Sequence, residues 1–407
     1  MNLLKRRGFF YLLCLGLTLC LTVFSFPSRP IYEQPKSLPT TTELRGVWLT
    51  NVASGVLFLP WGINRAVNQL SALNFNTIYP VVWNRGNTFY KSNIAKVVIG
   101  SDADPIVNLM HGGQDVLTKF IQLAKPQGLS VIPWFEYGFM TPPNSQLAQR
   151  YPDWLTMGQE GIKSTNEIPL EEIDDNSAHQ QAWLNPLHPE VREFILALVV
   201  EVVSGYDVDG IQFDDHFGMP VKFGYDAFTV DLYRREHQGQ SPPSDPFNPR
   251  WMRWRANKIT DFMAEIYQRV KAIKPHVIVS LSPNSHSFAY KYYLQDWETW
   301  VRKGLVDELI LQVYRNNQTS FITELEQPAV KFARTRIPVG IGILTGTSKT
   351  PVSITQIRQQ VQTVRDRNFP GISFFYWESL WGSITPESPQ QRRNVFQSMF
   401  AGRAMRP

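Results

Sequence analysis

Short apolar strands alternate with helical stretches eight times along this chain. The predicted strands cover residues 45–51, 76–83, 129–136, 209–215, 276–282, 307–314, 337–343 and 371–377. Eight strand–helix repeats are typical of a single (β/α)8 TIM barrel, here with long loops over its C-terminal face. Two ordinary α/β domains are the alternative, but no linker-like segment interrupts residues 45–400.

The first 25 residues predict export from the cytoplasm. Basic residues at 5–7 precede an apolar stretch over 9–24, which is the pattern of a signal peptide, and retention as an N-terminal membrane anchor is the alternative. Residues 26–42 are rich in Pro and Thr and predict a spacer, so the barrel is expected over 43–401. We therefore expect a periplasmic, cell-envelope or extracellular protein that meets a membrane only if the N-terminal segment stays uncleaved.

The composition excludes several classes of function. Both cysteines, Cys14 and Cys20, lie in the predicted leader, so the rest of the chain can form no disulfide, cysteine metal site or cysteine nucleophile. The net charge is only +5, and no dense run of Lys and Arg predicts nucleic-acid binding. Aromatic residues reach 13%, with 12 Trp, which fits a large core and also rings that could stack on sugars.

The fourth predicted strand ends in a cluster of acids. The segment reads DGIQFDDHFGMP over 209–220. Side chains alternate along a strand, so Gln212 and Asp214 face the barrel axis while the apolar residues between them face the helices. Asp215 has the opposite parity but lies at the strand exit, where a turn can bring it over the rim. A salt bridge or a cap of the following helix is the structural alternative for Asp214 and Asp215.

Other strand ends are also polar or aromatic, and active sites of such barrels lie at these ends. The candidates are Trp83, Glu136, His216, Asn284, Gln312, Tyr314, Trp377 and Glu378. Parity places Gln312 and Tyr314 inward, because the apolar residues between them face out. The structural alternative for Glu136 is an ion pair with Arg45 or Arg315.

Five segments together resemble the glycosyl-hydrolase-like family ten proteins. They are ELRGVWLTNV, FNTIYPVVWNRG, WLNPLHPEVREF, DGIQFDDHFGMP and FFYWESL, and the resemblance spans nearly all of residues 43–400. It implies a (β/α)8 barrel, export to the cell envelope and glycoside hydrolysis, which in some members acts on peptidoglycan glycan strands stripped of their stem peptides. It carries the paired acids onto Asp214 and Asp215 and the eighth-strand acid onto Glu378.

The same strand is more distantly similar to the chitinase motif DGxDxDxE. Asp209 and Gly210 match its start, Gln212 replaces the first inner Asp, and Asp214 matches the second. His216 stands where chitinases carry the Glu that protonates the leaving group. If this chain cleaves glycosides, its acid must come from another residue.

Glycoside hydrolysis needs an acid that protonates the leaving oxygen and a second carboxylate that attacks, orients water or stabilises positive charge. We expect Asp215 or Glu378 to be the acid and Asp214 to be the nucleophile or charge stabiliser, with Glu136 as a further catalytic candidate. Substrate contacts are expected from Trp83, Asn284, His216, Gln312, Tyr314 and Trp377.

Two other functions remain open from the sequence. One is a barrel that binds glycans without cutting them. The other is a metal-dependent hydrolase in which His216 joins Asp214 and Asp215 as ligands. Our primary expectation is a polysaccharide or oligosaccharide substrate and no metal or cofactor.

Overall fold

Nine parallel strands form the central sheet of the protein. The computed structural model describes residues 41–164, 181–347, 350–382 and 385–407. The predicted leader, and with it both cysteines, lies outside the described residues, as does all of the predicted spacer except its last two residues.

The nine strands correspond to the eight predicted ones. In chain order they are β1 (Leu44–Leu49), β2 (Thr77–Pro80), β3 (Ser130–Val131), β4 (Trp134–Phe135), β5 (Gly210–Asp214), β6 (Ile278–Ser282), β7 (Glu308–Gln312), β8 (Val339–Leu344) and β9 (Gly371–Phe375). The third predicted strand is divided into β3 and β4 at Pro133, which has no backbone N–H to donate to a ladder.

The sheet is curled. Its strand order is β3-β2-β1-β9-β8-β7-β6-β5-β4, so the first and last strands of the chain pair in the middle. The two end strands, β3 and β4, are separated in sequence only by Ile132 and Pro133, so both ends of the sheet belong to one short stretch of chain. This curl brings the C-terminal ends of the strands around one opening.

Helices connect the strands. They are α1 (Gly62–Ala72), α2 (Asn93–Val98), α3 (Pro105–Met110), α4 (Val116–Ala124), α5 (Gln146–Arg150), α6 (Pro189–Gly205), α7 (Ala227–Glu236), α8 (Pro249–Ile273), α9 (His286–Tyr293), α10 (Trp297–Arg302), α11 (Gln318–Leu325), α12 (Pro328–Arg334), α13 (Ile354–Asp366), α14 (Trp377–Trp381) and α15 (Pro389–Met399). Several begin with Pro, whose missing N–H is no loss in the first turn. Within the described ranges, none of these helices is long and apolar enough to cross a membrane.

Small paired segments accompany the central sheet. Short strand pairs join Trp83–Asn84 to Asn87–Thr88, and Ala182–Leu184 to both Met140–Thr141 and Leu155–Thr156. The described residues from 41 to 407 belong to one compact unit.

Aromatic side chains fill the inside of the curl. Trp48 stacks on Tyr79 at 5.3 Å between ring centroids and lies 6.2 Å from Trp134, whose ring contacts Phe375 edge-on. The indole N–H of Trp48 donates to Gln212 Oε1 at 2.7 Å. The interior is therefore a packed core rather than a pore, and it forms a rigid base below the strand ends.

The two ends of the described chain meet at the N-terminal edge of the sheet. Thr41–Thr42 pairs in parallel with Ala404–Met405. The guanidinium of Arg45 donates to Gly402 O at 2.6 Å, and Asn74 Nδ2 donates to Phe400 O at 2.7 Å. These contacts hold the C-terminal segment against β1.

Candidate active site

Asp214 is the last residue of β5 and is only 4% exposed. Its Oδ1 accepts a hydrogen bond from the backbone N–H of Asp215 at 2.8 Å and another from Gln312 Nε2. Gln312 ends β7 and also donates to Ser282 O, so its amide is fixed in place. Burial, followed by the neighbouring charge of Asp215, raises the pKa of Asp214 well above its usual value. The surroundings of Asp214 therefore favour its protonated form.

Asp215 is more open, with its side chain 17% exposed. Its Oδ2 accepts a hydrogen bond from Asn284 Nδ2 at 2.5 Å, and its Oδ1 lies 3.1 Å from His216 Nδ1. It does not cap the following helix, because Asp226 caps α7. Asp215 therefore lies beside Asp214, held by Asn284 from the segment after β6 and by the adjacent His216.

His216 joins two of the loops above the sheet. Its Nδ1 lies 3.1 Å from Glu136 O and 3.1 Å from Asp215 Oδ1, distances at which one N–H is shared between two acceptors. Its ring packs against Tyr137. His216 therefore fixes the turn after β5 to the segment that follows β4.

Glu136 follows β4 and is a second buried acid. Both of its oxygens accept from Thr50 Oγ1, at 3.0 and 2.9 Å, and Asn84 Nδ2 donates to its Oε2 at 2.5 Å. Burial raises the pKa of Glu136 to about 7, although these hydrogen bonds act in the opposite direction.

Glu136 forms an ion pair with neither Arg45 nor Arg315, the two partners considered from the sequence. Arg45 pairs with Glu43, and Arg315 pairs with Glu324. The reason is positional, because Arg45 lies in the first half of β1, at the edge remote from Glu136.

Tyr314 closes one side of the acid cluster. Its ring is buried and stacks on Phe375 at 5.5 Å between centroids. Burial and the charges of Asp214 and Asp215 raise the pKa of Tyr314 well above its usual value. The surroundings of Tyr314 therefore favour its neutral phenol form.

Glu378 belongs to a different part of the opening. It lies in the first turn of α14, and its Oε1 accepts hydrogen bonds from Ser54 Oγ and, at 3.2 Å, from the backbone N–H of Val56. Burial raises the pKa of Glu378 to about 7. Three strands separate β5 from β9 along the sheet, and the close group formed by Asp214, Asp215 and His216 does not include Glu378.

Residues 43–364 match the family model described as glycosyl hydrolase-like 10. The chain belongs to the glycosyl hydrolase-like 10 family. Glycosyl hydrolase DigH of Escherichia coli strain K12 is 26% identical, in an alignment that covers 81% of this chain and 81% of DigH.

Solved glycoside hydrolases share the fold of this glycosyl hydrolase-like 10 chain. The glycoside hydrolase domain of PgaB (BpsB) from Bordetella bronchiseptica superposes with a TM-score of 0.59 at 12% identity, over 90% of this chain and all of that domain. The catalytic domain of the β-amylase from Paenibacillus polymyxa gives a TM-score of 0.58 at 10% identity, over 89% and 99%. At these identities the likeness concerns the fold alone.

One predicted substrate contact of this glycosyl hydrolase-like 10 chain is wrong. Trp83 is fully buried, its indole N–H donates to Gly138 O at 2.9 Å, and its ring packs against Phe194. A ring in this position offers no face to a sugar. Trp377, the other predicted tryptophan, is also largely buried but lines a cleft beside Glu378.

Several residues that shape this glycosyl hydrolase-like 10 site escaped the sequence analysis. Thr50, Ser54 and Asn84 supply hydrogen bonds to the buried acids, and Gln295 Nε2 donates to the backbone oxygens of Asp214 at 2.9 Å and Phe217 at 3.2 Å. Thr50 lies next to the end of the first predicted strand, and Asn84 directly follows the second. A search of the positions around the predicted strand ends could have identified both. Gln295 has no such signal, since it lies between helices α9 and α10.

Proposed function

We propose that this protein is an exported glycoside hydrolase that cuts a polysaccharide of the cell envelope, with peptidoglycan glycan strands as the first substrate class to test. One observation carries the proposal, namely a buried acid with a raised pKa, Asp214, directly beside a more exposed carboxylate, Asp215. Membership of the glycosyl hydrolase-like 10 family and the fold of glycoside hydrolases support it. Export rests on the apolar N-terminal segment of the sequence.

The fold proposal is a complete (β/α)8 barrel. In support, a parallel bridge joins Val81, directly after β2, to Trp134 of β4, and Trp134 also pairs with Gln212 of β5. In addition, β3 pairs with β2, and β4 pairs with β5. The stretch that carries β3 and β4 therefore lies between β2 and β5, where a closed barrel of eight strands needs its remaining strand.

The proposed acid is Asp214, whereas the sequence analysis gave that role to Asp215 or Glu378. Two carboxyls this close share one proton, and the buried member of the pair is the one that keeps it. Asp214 gives this proton to the glycosidic oxygen as the bond from that oxygen to the anomeric carbon breaks. Asp215 faces the positive charge that develops on the sugar, and water then adds to the anomeric carbon and returns a proton to the Asp214–Asp215 pair.

The surrounding side chains hold this pair in position. Gln312 binds Asp214, while Asn284 and His216 bind Asp215. Tyr314, as a neutral phenol, offers its face and its O–H to the sugar.

The direct test is product analysis. The purified protein is incubated with peptide-free peptidoglycan glycans and with chitin oligomers, and the products are measured by mass spectrometry. We expect shortened glycans. Measurable binding with no shortened product across the panel would instead establish the alternative of a glycan-binding barrel.

A metal-dependent hydrolase is the second candidate, because Asp214, Asp215 and His216 place ligand atoms within 4.8 Å of one another. The geometry of His216 restricts how it could take part. Its Nδ1 lies at donor distance from Glu136 O, so that nitrogen carries a proton and only Nε2 could coordinate a metal. We expect cleavage rates to stay unchanged after dialysis against a chelator. A loss of rate that a divalent cation restores would establish the metal-dependent alternative.

A further inference from the structure

A second cleft lies at the opening of the sheet, beside Glu378. Its volume is about 240 Å³, and it is lined by Gly55, Val56, Leu59, Trp61, Gly62, Arg65, Trp377, Glu378, Trp381 and Gly382. One wall is the loop between β1 and α1, and the other is α14, which follows β9. None of the fourth-strand acids lines this cleft.

Tryptophan dominates the cleft. Trp61 stands at its rim with 62% of its surface exposed, which is rare for so large an apolar side chain. Trp377 and Trp381 lie deeper and pack edge to face, with 5.1 Å between ring centroids. A flat apolar surface of this kind matches the apolar face of a pyranose ring.

Two buried polar atoms of the cleft lack partners. Among the described residues, neither Glu378 Oε2 nor Trp381 Nε1 has a hydrogen-bond partner, although both atoms are buried. The other oxygen of Glu378 is already bound by Ser54 and Val56. Buried polar groups are nearly always paired, because leaving one unpaired costs about 1–3 kcal/mol. A sugar carries hydroxyls that both donate and accept, so neighbouring hydroxyls can satisfy the two atoms together.

Both walls of the cleft are fixed before any ligand binds. The carbonyl of Leu57 accepts a hydrogen bond from His111 Nε2 at 2.7 Å, and that of Pro60 accepts one from Lys119 Nζ at 2.6 Å. On the other wall, the buried guanidinium of Arg392 donates to Leu380 O at 2.5 Å. A preformed cleft loses little entropy on binding.

We propose that this cleft is a sugar-binding subsite in which Trp61 stacks on one pyranose unit while Glu378 and Trp381 bind its neighbouring hydroxyls. This inference rests on the proposed function and extends it. Since neither Asp214 nor Asp215 lines this cleft, the unit held here is not the one being cleaved. The substrate is therefore a chain of several sugars, and Glu378 acts in binding rather than as the acid.

The test measures binding without turnover. All variants carry Asp214→Asn, and calorimetry gives the affinity for chitin oligomers, or for whichever glycan ladder the product analysis identifies, from the disaccharide upward. Adding Trp61→Ala is expected to weaken binding of the longest oligomer about tenfold, through lost stacking and burial. Adding Trp381→Phe removes the N–H together with part of the ring and is expected to weaken binding a few-fold. Leu109→Ala is the matched control, because Leu109 is an exposed apolar residue of α3 outside the cleft.

The outcomes separate the two proposals. If the Asp214→Asn protein binds no oligomer and the wild-type protein cleaves none, the proposed function fails and the subsite fails with it. If the Asp214→Asn protein binds the ladder and Trp61→Ala leaves every affinity unchanged, the subsite alone is refuted. An equal loss from Leu109→Ala would also refute it, since the effect would then not be specific to the cleft.

Discussion

The Asp214→Asn variant is expected to cleave glycans roughly 10²–10⁴-fold more slowly than the wild-type protein, the usual contribution of a general acid. Asn has nearly the same shape and can still accept the hydrogen bonds from Gln312 and from the backbone of Asp215. It has no proton to give at neutral pH. The measurement is kcat on a natural oligosaccharide, with circular dichroism to confirm that the variant is folded.

The dependence of activity on the leaving group distinguishes the role of Asp214 from that of Asp215. A nitrophenyl glycoside has a leaving group that departs without protonation, so Asp214→Asn should lose much less activity on it, whereas Asp215→Asn should lose activity on both substrates. Asp207→Asn is the control, since Asp207 is an exposed acid just before β5. If Asp214→Asn lost equal activity on both substrates, Asp214 would not be the acid.

The Glu136→Gln variant is expected to be more stable than the wild-type protein at pH 8 and equally stable at pH 4. Glu136 has its pKa raised from 4.5 to about 7 in the folded protein. Its favourable contribution is therefore complete below pH 4.5 and is lost as the pH rises through 7. A shift of this size corresponds to about 3 kcal/mol of unfolding free energy. Gln has no charge to desolvate and can keep the hydrogen bonds to Thr50 and Asn84.

Urea unfolding at the two pH values measures this difference. The control is Glu193→Gln, because Glu193 is exposed on α6 and its replacement should change stability equally little at both values. If Glu136→Gln were less stable than the wild-type protein at pH 8, the charged form of Glu136 would be the one that the fold requires.

The sequence predicted well which side chains of the strands point toward the inside of the sheet. Alternation along the fourth predicted strand placed Gln212 and Asp214 inward, and the structure shows Gln212 bound to Trp48 and Asp214 bound to Gln312. The same rule placed Tyr314 inside, where it stacks on Phe375. Parity works here because a strand has a fixed two-residue period that neighbouring elements cannot alter.

The surroundings of the residues that follow the strands were less predictable from the sequence. Trp83 looked like a sugar contact because it ends a predicted strand, yet it turns into a short hairpin and becomes buried. Glu378 looked like a partner of Asp214, but the strand order places it on the far side of the opening. The hydrogen bonds of Glu136 come from two other loops. Such contacts depend on loop conformations and on distances between distant segments, which no local pattern encodes.

Pairing between β1 and β9 has a consequence for how the chain folds. Arg45 of β1 pairs with Ile372 of β9, so closing this seam requires one of the longest loops that the chain can form. Such contacts slow folding, and on a ribosome that adds roughly 5–20 residues per second the β1 edge waits tens of seconds for its partner. Until then it exposes unpaired backbone groups to other chains. We expect aggregation during synthesis, rather than instability of the finished fold, to limit the yield of this protein.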